Sequence, residues 1–323
     1  MTEILTPETA EQLSQSLVST DVESEYEILS TIRKDAHTCL YKARRSAAFS
    51  PVEGSPVALK VLDCKQKRRR SLAVQLKTEA TLMQAVLHDN VVRVLEFQNT
   101  EAVCFLAMEY AELGDLRAYL QRHGRPSIAE AFSMMDQLLA GLAAVHQAGI
   151  VHGDIRPETL HLNAESVLKI GNFRFPSIIR SGDTPVQNEW IGRMMDYLAP
   201  EILASGSYSQ LGDVYAAGVL CYELFAGELP FVGAIGAQLE SKRLGMYAPI
   251  TRIPDSIKAG IDKVLKQALA VESAWIHSVR NIRCPLSASL LPANDCSHRF
   301  FPRNPACPDN HAQAPQCRLL QAG

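Results

Sequence analysis

Two short stretches hold most of the residues that could do chemistry. In His152-Gly153-Asp154-Ile155-Arg156-Pro157-Glu158-Thr159, an acid stands two positions before a permanent cation. A carboxylate such as Asp154 can take a proton from a hydroxyl, and a guanidinium such as Arg156 can hold an anion in a fixed fork. In Lys169-Ile170-Gly171-Asn172-Phe173-Arg174, the oxygen-bearing side chain is Asn172. Lys60, at the end of Val57-Ala58-Leu59-Lys60, and Glu79 add a further cation and acid. Cys284, Cys296, Cys307 and Cys317, with His298 and His311, have metal-ligand types. They lack the closely spaced cysteine pairs of a zinc knuckle, so free thiols are expected. Lys65, Lys67, Arg68, Arg69 and Arg70 form a basic run, which is expected to be a solvated loop rather than a dock for an acidic partner.

The elements that would position these residues follow from periodicity. Residues 26–31, 39–44 and 56–62 are strand-like runs joined by turn residues, as in antiparallel hairpins. Apolar residues at helical spacing run from Leu72 through Leu76, Leu82, Met83 and Val86. Strands are expected again at 91–97 and 103–109. After Gly114 the pattern turns helical, with long helices at 128–147, 213–226 and 255–270 and two short strands at 159–162 and 167–170. Thr6-Pro7-Glu8 has the form of a helix start, predicting a short helix to about Val18. Strands with one helix, followed by helices, predict two lobes joined near residues 109–114.

Several of these segments, in this order, resemble the protein kinase family over roughly residues 26–274. Val57-Ala58-Leu59-Lys60 resembles the strand of the ATP-anchoring lysine, with Glu79 as its partner on the next helix. Met108-Glu109-Tyr110 resembles the gatekeeper and hinge. His152–Thr159 resembles the catalytic loop, and Lys169–Arg174 the magnesium-binding loop. Tyr197-Leu198-Ala199-Pro200-Glu201 resembles the end of the activation segment, and Asp213 the residue that braces the catalytic loop.

The resemblance implies an α+β, two-lobed protein kinase-like fold. It divides the chain into an acidic extension (1–25), a kinase-like domain (small β-rich lobe with one helix, 26–110; larger, mainly helical lobe, 111–274) and an irregular Pro- and Cys-containing tail (275–323). It makes Asp154 the catalytic base and Arg156 the counterpart of a phosphate-contacting lysine. Lys60, Glu79, Ala58, Leu40, Met108, Glu109, Ala111 and His161 would line an ATP cleft, with His161 replacing an aliphatic floor residue. Met83, Leu95, His152 and Phe173 would stack between the lobes.

The departures from the pattern concern phosphate and metal. Arg33, Asp35 and Thr38 stand at the three positions of the glycine-rich loop, where glycine lets amides approach phosphate oxygens. Asn172 and Thr159 stand where the family supplies metal ligands, so Mg or Mn binding is expected to be weak or absent. Gly153 replaces an arginine that pairs with a phosphorylated loop, so control of that kind is not expected, although Ser177, Ser181 and Thr184 lie in the presumed activation segment. The expected protein is a pseudokinase, a signalling scaffold or regulator with weak or no ATP binding that works through a protein partner. The alternative is a slow Ser/Thr kinase acting on a protein substrate.

Composition sets outer bounds. A net charge of −3 and 47% hydrophobic residues over 323 positions give no global field for nucleic acid. No uninterrupted apolar run reaches the ~18 residues of a membrane span. The acidic N-terminus lacks the basic and apolar regions of a secretory signal, and scattered cysteines suit a reducing compartment. A cytoplasmic protein is expected.

Overall fold

The computed structural model describes residues 22, 25–35, 37–46, 54–63, 69–173 and 194–270. The N-terminal helix, most of the basic run, the serines and threonine of the activation segment, and the tail lie outside these residues. The small lobe is a five-stranded antiparallel sheet built from β1 (Tyr26–Lys34), β2 (Thr38–Arg45), β3 (Val57–Leu62), β4 (Val94–Asn99) and β5 (Cys104–Glu109). Their spatial order is β1-β2-β3-β5-β4. A tight turn closes β1 onto β2, with the Asp35 amide donating to the Thr38 carbonyl at 2.8 Å.

Strand alternation splits this sheet into two faces. Cys39, Tyr41, Ala43, Leu59, Val61 and Phe105 fill the outer face, covered by Val22 and Tyr26. Leu40, Ala58, Leu106 and Met108 lie on the other, where they join a core cluster that continues into the large lobe. Helix α1 (Arg69–Gln84) packs there through Ala73, Leu76, Ala80 and Met83. Arg69 and Arg70, expected in a loop, instead form its first turn.

The β4 strand starts later than periodicity suggests. Val91 and Val92 are taken up by the large lobe, with the Val92 amide donating to the Ile170 carbonyl at 2.8 Å and the Ile170 amide to the Asn90 carbonyl at 2.9 Å. A bulge between Val94 and Glu96 then shifts the register against β5. Leu95, the bulged residue, is 44% exposed, so its expected place between the lobes is wrong. Val94 packs on the core instead. One extra residue was enough to exchange the faces.

The large lobe contains α2 (Leu116–His123), α3 (Ile128–Gln147), α4 (Pro200–Ser205), α5 (Gln210–Ala226), α6 (Ile235–Leu244) and α7 (Asp255–Ala268). A small sheet, β6 (Gly114–Asp115), β7 (Leu160–Leu162) and β8 (Leu168–Ile170), lies below the cleft. Each boundary has a local cause. Ser127 and Glu130 form a reciprocal capping box at the start of α3, Asp115 caps α2, and Ser209 caps α5. Helix α3 is long and apolar enough to cross a membrane by length and composition alone, but Met134, Met135, Leu138, Leu139 and Leu142 are buried in the protein core. Helix α5 is buried on all sides from Gly212 to Phe225, as a central helix must be.

Where α3 meets the lobe junction, Gly141 leaves no room for a side chain. A Cβ there would sit 2.6 Å from the Asn90 carbonyl oxygen and 3.0 Å from Ile170 Cδ1. Gly141→Val is therefore expected to destabilise the protein by roughly 1–3 kcal/mol, the usual range for overpacking, read as a lower midpoint in urea unfolding.

Candidate active site

The loop between α3 and β7 is held from below by one buried carboxylate. Asp213, 2% exposed on α5, accepts from the His152 amide at 2.8 Å and from the Gly153 amide at 2.7 Å. His146 Nε2 donates to it at 2.9 Å. Gly153 turns through a φ of 75°, a left-handed conformation that glycine adopts without steric cost. His152 is a packed group. Its Nδ1 accepts the Asp154 amide at 3.2 Å, so its Nε2 carries the proton donated to the Gly171 carbonyl at 3.0 Å. Its ring meets Phe173 edge-on at 4.8 Å.

On this base the structure brings Asp154, Arg156 and Thr159 together. Arg156 Nε donates to Asp154 Oδ1 at 2.7 Å, and both residues are nearly fully buried. Arg156 also pairs with Glu158 at 3.2 Å. The Thr159 hydroxyl lies 2.7 Å from the Asp154 carbonyl oxygen and 2.9 Å from that of Arg156, and it accepts the Arg156 amide at 3.3 Å. Its one proton is directed into the loop backbone and its oxygen is occupied there. Thr159 thus holds the loop's shape.

Asn172 adopts a φ of 56°, in the left-handed region that asparagine tolerates better than most residues. The side chain at this bend is a neutral amide. A magnesium ion needs anionic oxygen in near-octahedral geometry, and an amide beside a committed hydroxyl does not supply it. Among the described residues no group of three or more His, Cys, Asp or Glu is arranged to hold a metal. The donor set does not fit a divalent cation.

Above the loop, Lys60 on β3 reaches Glu79 on α1 at 2.7 and 2.9 Å. The two are 6% and 5% exposed, so the pair is desolvated and held in one geometry. Leu40 and Ala58 line the roof. Met108 is buried on β5. Glu109 turns its carboxylate to the Arg93 amide at 2.7 Å and to Lys169 at 3.0 Å, and Ala111 follows in the linker to β6. His161 forms the floor, packed on Gly171, where a Cβ would lie 2.9 Å from the ring. Burial lowers the His161 pKa to about 4, with Arg33 and Lys60 acting in the same direction and Asp115 against them. The imidazole is therefore a neutral, stackable surface near neutral pH.

Other polar residues, not anticipated from the sequence, fix the segment 195–198 to the helices around it. Lys242 on α6 is 0% exposed, and its Nζ donates to the carbonyls of Met195, Asp196 and Leu198 at 2.6, 2.9 and 2.8 Å. Burial pushes its pKa down to about 8, against a pull from Asp196. Arg117 on α2 donates to Glu223 at 2.6 Å, to the Tyr197 hydroxyl at 2.7 Å and to Glu158 at 3.3 Å. Tyr197 in turn donates to Glu223. Burial, then the charge of Glu223, keeps that phenol protonated. Nothing in the spacing of these residues marks them as partners. A lysine within a helix is indistinguishable from a solvated one until α6 docks.

The His161 ring gives the fold an acid sensitivity. The native ring stays neutral down to about 4, while an unfolded histidine takes its proton near 6.5. Between those values the unfolded state binds more protons, so stability is full above 6.5 and falls as pH drops toward 4. His161→Leu is expected to flatten stability against pH in this window, by up to ~1.4 kcal/mol per pH unit for one proton, measured by urea unfolding at pH 4–7.

Comparison with known proteins agrees with this geometry. The model of the protein kinase domain matches residues 44–278, beginning near the end of β2, past the turn that lacks glycines. Mouse Aurora kinase C is 29% identical over 247 residues, covering 71% of this chain and 85% of that protein. Rice CBL-interacting protein kinase 8 is 33% identical over 190 residues, covering 58% of this chain. An Arabidopsis CBL-interacting serine/threonine-protein kinase 8 is 33% identical over 179 residues. The chain spans 42% and 40% of the length of these two plant kinases. With two lobes, a bracing aspartate under the catalytic loop and a lysine–glutamate pair that ties α1 to the sheet above the cleft, the chain belongs to the protein kinase family.

Proposed function

We propose that this protein is a pseudokinase: a kinase-fold scaffold or regulator with weak or no ATP binding that works through contacts with a protein partner, any nucleotide it binds being a conformational ligand rather than a phosphate donor. The observation that carries this reading is the pairing of Asn172 with a Thr159 hydroxyl committed to backbone. In phosphoryl transfer, catalysis is mostly positioning and neutralisation of charge on the moving phosphoryl group. Without the metal's charge the barrier rises by several kcal/mol, and each ~1.4 kcal/mol is tenfold in rate.

The framework that the lost chemistry once required remains useful to a scaffold. A buried Lys60–Glu79 pair ties α1 to the sheet, and a ligand that favours one lobe arrangement shifts the population of that arrangement. The same pair is what favours the second reading, a slow Ser/Thr kinase, since Lys60, Glu79 and Asp154 all match the family's residue types.

Phosphotransfer from labelled ATP to a general protein substrate, in magnesium and in manganese, separates the two. Incorporation by the native chain is expected to equal that of Asp154→Ala. Incorporation that both Asp154→Ala and Lys60→Ala abolish would overturn the pseudokinase reading. In the same preparation, Asn172→Asp is expected to make nucleotide affinity respond to magnesium, because it restores a carboxylate at the bend.

A further inference from the structure

We propose that the cleft takes the phosphate tail of a nucleoside di- or triphosphate without a divalent cation, and that Arg33 supplies positive charge in the metal's stead. The inference rests on the reading above that this cleft chelates no metal. It gives a side chain at one of the three glycine-loop positions a use of its own.

The register of the sheet places Arg33. It stands opposite Leu40 across β1 and β2, and Leu40 stands opposite Lys60 across β2 and β3. Directly paired residues on neighbouring strands project to the same face, so Arg33, Leu40 and Lys60 form one row over the cleft. The opposite face is already filled by Cys39, Tyr41, Leu59 and Val61. Strands lie ~4.8 Å apart, so Arg33 and Lys60 start about 10 Å apart, and both side chains are long enough to converge on one polyphosphate.

Arg33 is also available at little cost. Its partner is Asp35 at 3.2 Å, with side chains 44% and 43% exposed. An exposed ion pair of this kind contributes little, whereas a guanidinium meeting phosphate makes short, paired, charge-assisted hydrogen bonds. The field in the cleft agrees, because Arg33 acts together with Lys60 on the His161 ring from the other lobe. A charge that reaches the floor from the roof lies over the space between them. Lys60 is fixed by Glu79, which leaves Arg33 as the more mobile of the two cations.

The test is calorimetric titration of the full chain with ATP, ADP and adenosine, in excess EDTA and in magnesium. ATP is expected to bind in EDTA with an affinity within about twofold of that in magnesium. Arg33→Gln, at an exposed position that leaves the melting temperature of the free protein unchanged, is expected to weaken ATP and ADP about five- to tenfold in EDTA, the worth of one charge-assisted contact. Arg33→Lys should recover part of the loss, and adenosine should bind native and variant chains alike. Binding that vanishes in EDTA, or an Arg33→Gln chain that binds as tightly as the native one, overturns the proposal. So does the absence of nucleotide binding under every condition, a result that leaves the pseudokinase reading standing. Phosphotransfer abolished by Asp154→Ala, by contrast, sinks that reading whatever Arg33 does.

Discussion

The site hangs on a buried carboxylate beneath a loop. Asp213 accepts two consecutive backbone amides and one imidazole N–H, all within the core around α5. A buried charge is tolerated when its lone pairs are satisfied, and losing one of its donors exposes the whole desolvation cost. The loop is thereby held in a single conformation, including the left-handed turn at Gly153. From that anchor His152 aligns Gly171 and Phe173, and Asp154 is set beside Arg156. The geometry of the cleft floor is thus a consequence of one interaction made far below it.

Retention and loss follow a physical division. The parts that shape the protein persist: the bracing aspartate, the buried Lys60–Glu79 pair, and the burial of Met83 and Phe173 within a core common to both lobes. Each of these stabilises the fold whether or not any chemistry takes place. The parts that serve only a metal-bound triphosphate have changed: glycines at the hairpin, the anionic chelator and the second metal ligand. Thr159 shows how such a change becomes settled, for its hydroxyl completes the backbone hydrogen bonding of the loop. Asn172 likewise suits its backbone, since the left-handed bend accepts an asparagine readily.

The wall opposite the cleft is built from buried polar contacts. Lys242 satisfies three carbonyls of the 195–198 segment, and Arg117 joins α2 to Tyr197, Glu158 and Glu223. Networks of this kind are rigid when every member is paired. They fix the segment that follows the activation region to α5 and α6, so this surface is presented in one shape.

The sequence alone determined the family, the two lobes and the positions of Lys60, Glu79, Asp154, Asn172 and Thr159, because these reside in local motifs with fixed spacing and in strong 2.0 and 3.6 periodicities. The caps of α3 and α5, Ser127 and Ser209, act within one turn, yet it was the structure that identified them. Only the tertiary structure decided the rest. The bulge at Leu95 depends on pairing with β5, which periodicity cannot register, and it placed Val94 in the core. The burial of Lys242 and the convergence of Arg117, Tyr197 and Glu223 depend on how distant helices dock. The direction of the Thr159 hydroxyl and the row of Arg33, Leu40 and Lys60 are likewise set by through-space neighbours. Spacing along a chain reports which groups exist; desolvation and hydrogen-bond geometry, which govern what they do, arise only when remote segments meet.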